Sequence, residues 1–278
     1  PAYALVDGNF AMPMVTATTA MGLAIDKAAT AGVGYVGVRR SSHFGAAGYY
    51  ANMAAARNMV GIAMSNVDPC MTVPGGKAPM LGTNPIAYAV PAGSYNTIFL
   101  DVATSVVAIS KVLAAKTLGK TLPEGWLVDK DGHPTTDPTR YPDEGAILPF
   151  AGHKGYGFAL LAEVLSGIMT GALFTLDLKS WLFDYSNPVN QGHSFIAIDI
   201  SKMMDLTMFE ERMDTMIRRI KEAPLAEGAQ EIFLPGEMEW RRRERALEEG
   251  IELPEDVAMN LRGLAEDLGR DPDEVFAE

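Results

Sequence analysis

A helical apolar pattern that runs straight into a glycine-spaced strand constrains this chain more than any other feature. Across residues 17–31, Ala20, Met21, Leu23, Ala24, Ala28 and Ala29 recur at helical spacing, and Gly32 stops the pattern. Gly32, Gly34 and Gly37 then satisfy G-x-G-x-x-G, the spacing of a dinucleotide-binding turn. Such a turn needs a strand before the glycines and a helix start after them, so that free N–H groups and the helix dipole meet a pyrophosphate. Here the helix comes first, and residues 33–39 read as a buried strand through the glycines. The context is reversed, and a doubly wound Rossmann fold is the lesser reading.

The same alternation continues along the chain. Residues 45–57, rich in alanine with Tyr49, Tyr50 and Met53, predict a second helix, and residues 60–65 a second strand. Seven prolines and glycines between Asp68 and Pro85 predict a long shaped loop, flanked by strands at 86–90 and 97–100. Residues 102–116 read as a helix that Thr104 or Ser105 could cap. Residues 119–149 read as a polar excursion wrapping over the surface. The helix at 156–169 carries only Glu163 as a charge and reads as buried on most sides. A strand at 193–200 and an amphipathic helix at 206–221 follow. Alternating strands and helices give an α/β class. Two parts are expected, a body over residues 1–236 and a charged helical arm over 237–278.

Charge and cysteine content narrow the function classes. A formal net charge of -12 disfavours general nucleic-acid binding, since phosphate backbones reward clustered cations. The dense basic run of Arg241, Arg242, Arg243 and Arg245 is interleaved with glutamates and reads as a solvated helix face. One cysteine, Cys70, offers no internal disulfide and no thiol cluster for zinc, which suits a reducing cytoplasm. No signal-peptide pattern is visible at the start, and no run approaches the ~18 apolar residues of a membrane span. None of the four histidines pairs at a metal-ligand spacing, so no metal is expected.

Several residues could carry chemistry. His43 follows a strand and precedes a helix, a position that exposes a side chain at a sheet edge, and only histidine has an ordinary pKa near neutrality. A structural histidine is an equally good reading of that residue by itself. Asp68 stands at the mouth of the long loop, as a site carboxylate or as an Asp-Pro turn. Thr83 and Asn84, fixed by Pro85, could bond a ligand or close the loop. Asp101, Val102 and Ala103 lie at a predicted strand-to-helix junction, where free N–H groups could hold a ligand. Lys154 among glycines is a phosphate holder or a surface lysine.

Six ordered motifs give these residues a common context: Ser41-Ser42-His43-Phe44-Gly45, Gly82-Thr83-Asn84-Pro85, Asp101-Val102-Ala103-Thr104, Pro134-Thr135-Thr136-Asp137-Pro138, Lys154-Gly155-Tyr156-Gly157 and Leu234-Pro235-Gly236-Glu237. Together they resemble the type-2 malate/L-lactate dehydrogenase family, which includes ureidoglycolate dehydrogenase, sulfolactate dehydrogenase and piperideine-2-carboxylate reductase. The resemblance implies a mixed sheet flanked by helices, a family-specific nicotinamide-binding fold, and a homodimer. It implies NAD or NADP as cofactor and a small 2-hydroxy, 2-oxo or imino acid as substrate. His43 would be the acid/base with Asp68 close by, Thr83 and Asn84 would meet the substrate, and Val67, Asp101, Val102, Ala103 and Lys154 would contact the cofactor. Arg40 and Ala151 depart from the pattern, at places where a small polar residue and a glycine are expected. Members of the family carry, ahead of the position of Pro1, a helical segment with a Ser-His-Gly motif and an arginine that help complete the active site, and the body over residues 1–236 is expected to lack it. A catalytically silent cofactor-binding or scaffold remnant of the same fold is the alternative reading.

Overall fold

Alternation along β2 (Val33–Ser41) decides how the main body is layered. Gly34, Val36 and Val38 point to one face, and Tyr35, Gly37 and Arg39 to the other. On the first face lies α1 (Pro13–Ala31), so close that any side chain at Gly34 would strike the backbone carbonyl of Ala24. On the second face Tyr35 Oη donates to the Leu165 carbonyl at 2.8 Å, and a Cβ at Gly37 would come within 2.8 Å of Thr170. The G-x-G-x-x-G spacing therefore records two close approaches to opposite faces of one strand. Gly32 completes it as the left-handed cap of α1, with φ of 85°.

A computed structural model describes residues 1–184 and 186–273, in two compact units, Pro1–Gly236 and Glu237–Glu278. The first unit holds a six-stranded sheet in the order β1 (Tyr3–Asp7), β2, β9 (Gln191–Asp199), β3 (Met59–Ser65), β4 (Ile86–Val90), β5 (Ile98–Val102). β1 and β2 run parallel and the remaining neighbours antiparallel, so the sheet is mixed. α1 and α2 (Ala47–Ala55) cover one face, and buried alanines at 17, 20, 24, 28, 51 and 54 let their backbones approach Val36, Val38 and Phe195. Across the other face runs a wide π-type turn over Glu163–Ile168, the continuation of α4 (His153–Ala162). The doubly wound alternative is absent from this topology, and the expected mixed sheet with flanking helices is present.

Three expectations need correction. Residues 119–149 do not merely wrap the surface: they form a second sheet of β7 (Pro134–Thr135), β6 (Leu127–Asp129) and β8 (Gly145–Ile147). Leu127 and Ile147 bury themselves there with Met71, Leu81 and Val112 in a second core. The helix expected from residue 102 starts later, as α3 (Ile109–Thr117), because its supposed caps are used elsewhere. Thr104 Oγ1 donates to the Thr83 carbonyl at 2.9 Å and Ser105 Oγ to the Val107 carbonyl at 2.7 Å. Finally, α4 and the turn after it are not buried on most sides. Phe158, Leu161, Val164, Ile168 and Met169 all stand exposed, Ile168 at 53 % and Met169 at 59 %.

α5 (Leu206–Lys221) forms where its amphipathic pattern predicts, capped by Asp205, whose carboxylate accepts the Thr207 N–H at 2.9 Å. In the second unit, α6 (Glu237–Glu249) carries the basic run as an exposed face laced with i,i+4 ion pairs, Arg241–Glu237 at 2.7 Å and Arg245–Glu249 at 2.6 Å. α7 (Glu255–Asp267) begins just after Pro254. Residues 274–278 of the expected arm lie outside the described residues.

Candidate active site

The sheet order brings distant segments to one edge. β2, β3 and β5 run in one direction, with β9 and β4 between them running the other way. Their corresponding ends therefore carry His43 (after β2), Asp68 (after β3), Asp101 (in β5), Gln191 (opening β9) and Thr83 with Pro85 (before β4). These residues line one cleft of about 560 Å³, completed by Val67, Ala103, Ile109 and Leu113 and by the turn Ser180 to Phe183. Most of that wall is apolar, with a few convergent polar groups, as in sites for small organic ligands.

A break in β2 aims His43. Pairing with β9 slips between Val38 and Ser41, and Arg40 takes a left-handed φ of 54°. Arg40 is held there by Asp7 at 3.2 Å and by the Phe10 ring under its guanidinium at 4.9 Å, which gives the departure from a small polar residue a local role. The chain then leaves the sheet and presents His43 at the cleft. The Gly45 N–H reaches Nδ1 at 3.4 Å, too long a contact to fix the tautomer. On its other side the ring meets Trp181, with centroids 4.4 Å apart and planes 32° from parallel. The walls around it displace enough water to hold the His43 pKa below the ordinary histidine value.

The neighbouring histidine has the opposite character. His193 is fully buried, stacked on Phe44 with centroids 4.3 Å apart, and burial pulls its pKa down to about 3. Its Nδ1 lies 2.8 Å from Ser65 Oγ and its Nε2 2.9 Å from Ser41 Oγ. Ser65 donates its single proton toward the carbonyls of Asn66 and Gly192, at 2.9 and 3.0 Å. Both ring nitrogens of His193 are thereby engaged by a serine hydroxyl, one from each flanking strand. The neutral ring thus pins the ends of β2 and β3 to β9, one residue before the His43 segment begins.

Asp68 and Asp101 are both raised above the ordinary aspartate value, chiefly by burial. Asp68 is partly offset by a hydrogen bond from Ser180. Asp101 Oδ2 accepts the Gly48 N–H at 2.7 Å, capping the first turn of α2 from a neighbouring strand. Among the described cleft residues there is no lysine or arginine. Among the described residues, no group of three or more histidines, cysteines, aspartates or glutamates stands together as a metal site, and no helix is long and apolar enough to cross a membrane.

The structure gathers His43, Val67, Asp68, Thr83, Asp101 and Ala103 around the cleft and leaves Asn84, Val102 and Lys154 outside its lining. Asn84, expected to meet the substrate, is 0 % exposed and fully engaged. Its Oδ1 accepts the Val67 N–H at 2.9 Å, and its Nδ2 donates to the Ala159 carbonyl at 3.0 Å and to Glu163 Oε2 at 2.7 Å. Asn84 therefore acts through Val67, by fixing the backbone that lines the cleft. Glu163 is the hub of this arrangement, its Oε1 also accepting the Thr175 N–H at 2.8 Å. Lys154 stands exposed in the first turn of α4, preceded by Ala151 at a φ of 45°, a left-handed conformation that favours glycine.

Trp181, Ser180, Gln191 and His193 were not singled out as site residues from sequence, since each belongs to a segment whose spacing carries no chemical signature. Gln191 supplies a test of fit for a nicotinamide-type ligand. Its Nε2 donates to Ser65 Oγ at 2.8 Å, while its Oε1 is a buried acceptor with no partner among the described residues. A residue of the cleft wall with a spare acceptor, next to the apolar sides of Val67, Ala103, Ile109 and Leu113, suits a flat ring bearing an amide or a substrate hydroxyl.

Comparison with known proteins agrees with this chemistry. The family model described as malate/L-lactate dehydrogenase matches residues 1–262. A malate/(S)-sulfolactate dehydrogenase of Methanothermus fervidus is 40 % identical over 265 residues, covering 95 % of this chain and 76 % of that protein. The NAD(+)-dependent ureidoglycolate dehydrogenase of Escherichia coli K12 is 34 % identical over 261 residues, 94 % and 74 % of the respective chains. The solved sulfolactate dehydrogenase of Methanocaldococcus jannaschii superposes with a TM-score of 0.90 at 40 % identity, covering 99 % of this chain and 78 % of that one.

Proposed function

The chain belongs to the malate/L-lactate dehydrogenase family, and from that premise we propose an oxidoreductase that moves a hydride between NAD or NADP and a small 2-hydroxy or 2-oxo acid, with His43 as acid/base. The observation that carries the assignment is His43 at the cleft wall, open to a ligand and with a pKa below the usual value. The bound nicotinamide ring supplies the hydride acceptor or donor. In the oxidative direction neutral His43 takes the proton of the substrate hydroxyl as C2 loses its hydride, and in the reductive direction protonated His43 returns it. Asp68 and Thr83 line the same cleft as His43, within a mostly apolar wall.

Val67, Asp101, Val102 and Ala103 would contact the cofactor along the β5 side, and the exposed Lys154 in the first turn of α4 would meet a phosphate through its ammonium. On this reading Lys154→Ala weakens NADH binding by about tenfold, close to 1.4 kcal/mol, with a smaller change in kcat at saturating cofactor. Fluorescence titration of NADH measures it, and an unchanged dissociation constant removes Lys154 from the site. The exposed apolar face of Phe158, Leu161, Val164, Ile168 and Met169 fits a second copy of the chain, a homodimer, since monomers rarely leave such a patch open. Sedimentation velocity should then give twice the chain mass.

The decisive experiment is a turnover panel with malate, lactate, 3-sulfolactate and ureidoglycolate, and with a cyclic imino acid in the reductive direction, each with NAD and NADP forms. Oxidation of at least one hydroxy acid is expected. NADH binding with no turnover across the panel would favour the silent cofactor-binding reading.

A further inference from the structure

Two side chains from the turn Ser180 to Phe183 reach into the proton-transfer end of the cleft. Trp181 lays its indole against the His43 ring, centroids 4.4 Å apart. Ser180, one residue earlier, hydrogen-bonds Asp68, and its Oγ also accepts the N–H groups of Leu182 and Phe183, each at 3.2 Å. The hydroxyl thereby locks the turn that carries Trp181. One short segment therefore touches both titratable groups proposed for the chemistry.

We propose that Trp181 is a positioning residue for His43, its indole fixing the plane of the imidazole across the cleft while Ser180 holds the same turn to Asp68. The inference rests on the reading of His43 as acid/base, and extends it to a residue whose segment shows no sequence motif. A histidine side chain at the end of a strand has two free torsions, and the loose 3.4 Å contact from Gly45 cannot hold them. A large flat wall on one side can, because it removes the rotamers that would swing the ring across that space. The same wall decides the ring's solvation. Indole contact has two opposed effects: it strips water, which disfavours the charged ring, and its face attracts a cation, which favours it. Burial lowers the His43 pKa, and the indole at 4.4 Å is one of the walls that strip water from the ring. The titratable groups facing the ring are Asp68 from the loop after β3, Asp101 from β5 and the buried neutral His193 from β9, with no lysine or arginine among the described cleft residues.

The test uses the full chain with Trp181→Ala and Trp181→Phe. Trp181 is only partly buried, at the rim of the body, so its removal leaves both cores intact. Histidine NMR titration resolves the chain's four histidines, and the signal lost in His43→Asn identifies His43. In Trp181→Ala the His43 midpoint should rise toward the ordinary 6.5, and in Trp181→Phe it should stay near wild type. Turnover of the best substrate should fall on the order of 10- to 100-fold in Trp181→Ala, the range a misplaced catalytic group costs, with KM changed less than about threefold and most of the rate kept by Trp181→Phe. A His43 midpoint that stays put or moves down in Trp181→Ala overturns the proposal, as does a loss confined to KM. The NMR arm needs no activity, so its failure is separate from that of the functional reading, which falls if His43→Asn keeps wild-type turnover.

Discussion

His43→Asn should lower kcat by about 10²- to 10⁴-fold, the range that a positioned acid/base contributes, while NADH binding changes little. Asparagine keeps a polar side chain of similar reach but cannot exchange a proton near neutrality, so the loss isolates the proton-transfer step. The pH profile makes the argument stricter. Because the surrounding walls hold the His43 pKa below 6.5, the free enzyme carries a neutral imidazole at pH 7, the form that accepts a proton. Oxidation of the hydroxy acid should therefore rise as pH climbs through a midpoint below 6.5 and be level by neutrality. Reduction, which needs the protonated ring, should fall through the same midpoint. Both limbs should vanish in His43→Asn. Steady-state rates across pH 5 to 9 measure this, and a variant that keeps the wild-type limb places the acid/base elsewhere.

The second large effect is on stability. Asn84→Ala removes the acceptor for the Val67 N–H and the donor for Glu163 Oε2 in a place without solvent. The Ala159 carbonyl keeps its helical partner, so two groups are left unpaired. At roughly 1–3 kcal/mol for each orphaned group, the cost should be about 2–6 kcal/mol, read as a lower urea midpoint with an unchanged slope. KM should rise only modestly, since Asn84 reaches the cleft through the Val67 backbone. A large KM increase with an unmoved midpoint would put Asn84 against the substrate and refute its placement as a buried strut.

These two residues also show what was legible beforehand. The place of His43 at the cleft was legible because a strand end followed by a helix start is a local string. The reversed order around Gly32 to Gly37 was equally legible, since periodicity distinguishes a strand through the glycines from a turn between elements. The burial of Asn84 is not legible in its string, Gly82-Thr83-Asn84-Pro85, which carries no record of Glu163, about eighty residues later, to which its amide donates. Thr104 and Ser105 misled in the same way, as capping residues by type that bond loop carbonyls instead. The exposure of α4 was invisible for a different reason: an apolar helix reads alike whether it faces its own core or another chain. Trp181, Gln191 and His193 reach the site by tertiary contact alone.

The place of β9 between β2 and β3 has a consequence for how the molecule comes into being. A nascent chain that has emerged only as far as α4 holds both flanking strands with open ladder groups on their inner sides, waiting for a segment not yet synthesised. Closure by so distant a partner makes folding a late, non-local event with a correspondingly slow rate. Until then the cleft lacks Gln191 and the strand edges invite stray pairing, so truncation ahead of Gln191 should yield aggregating material in place of a smaller working protein.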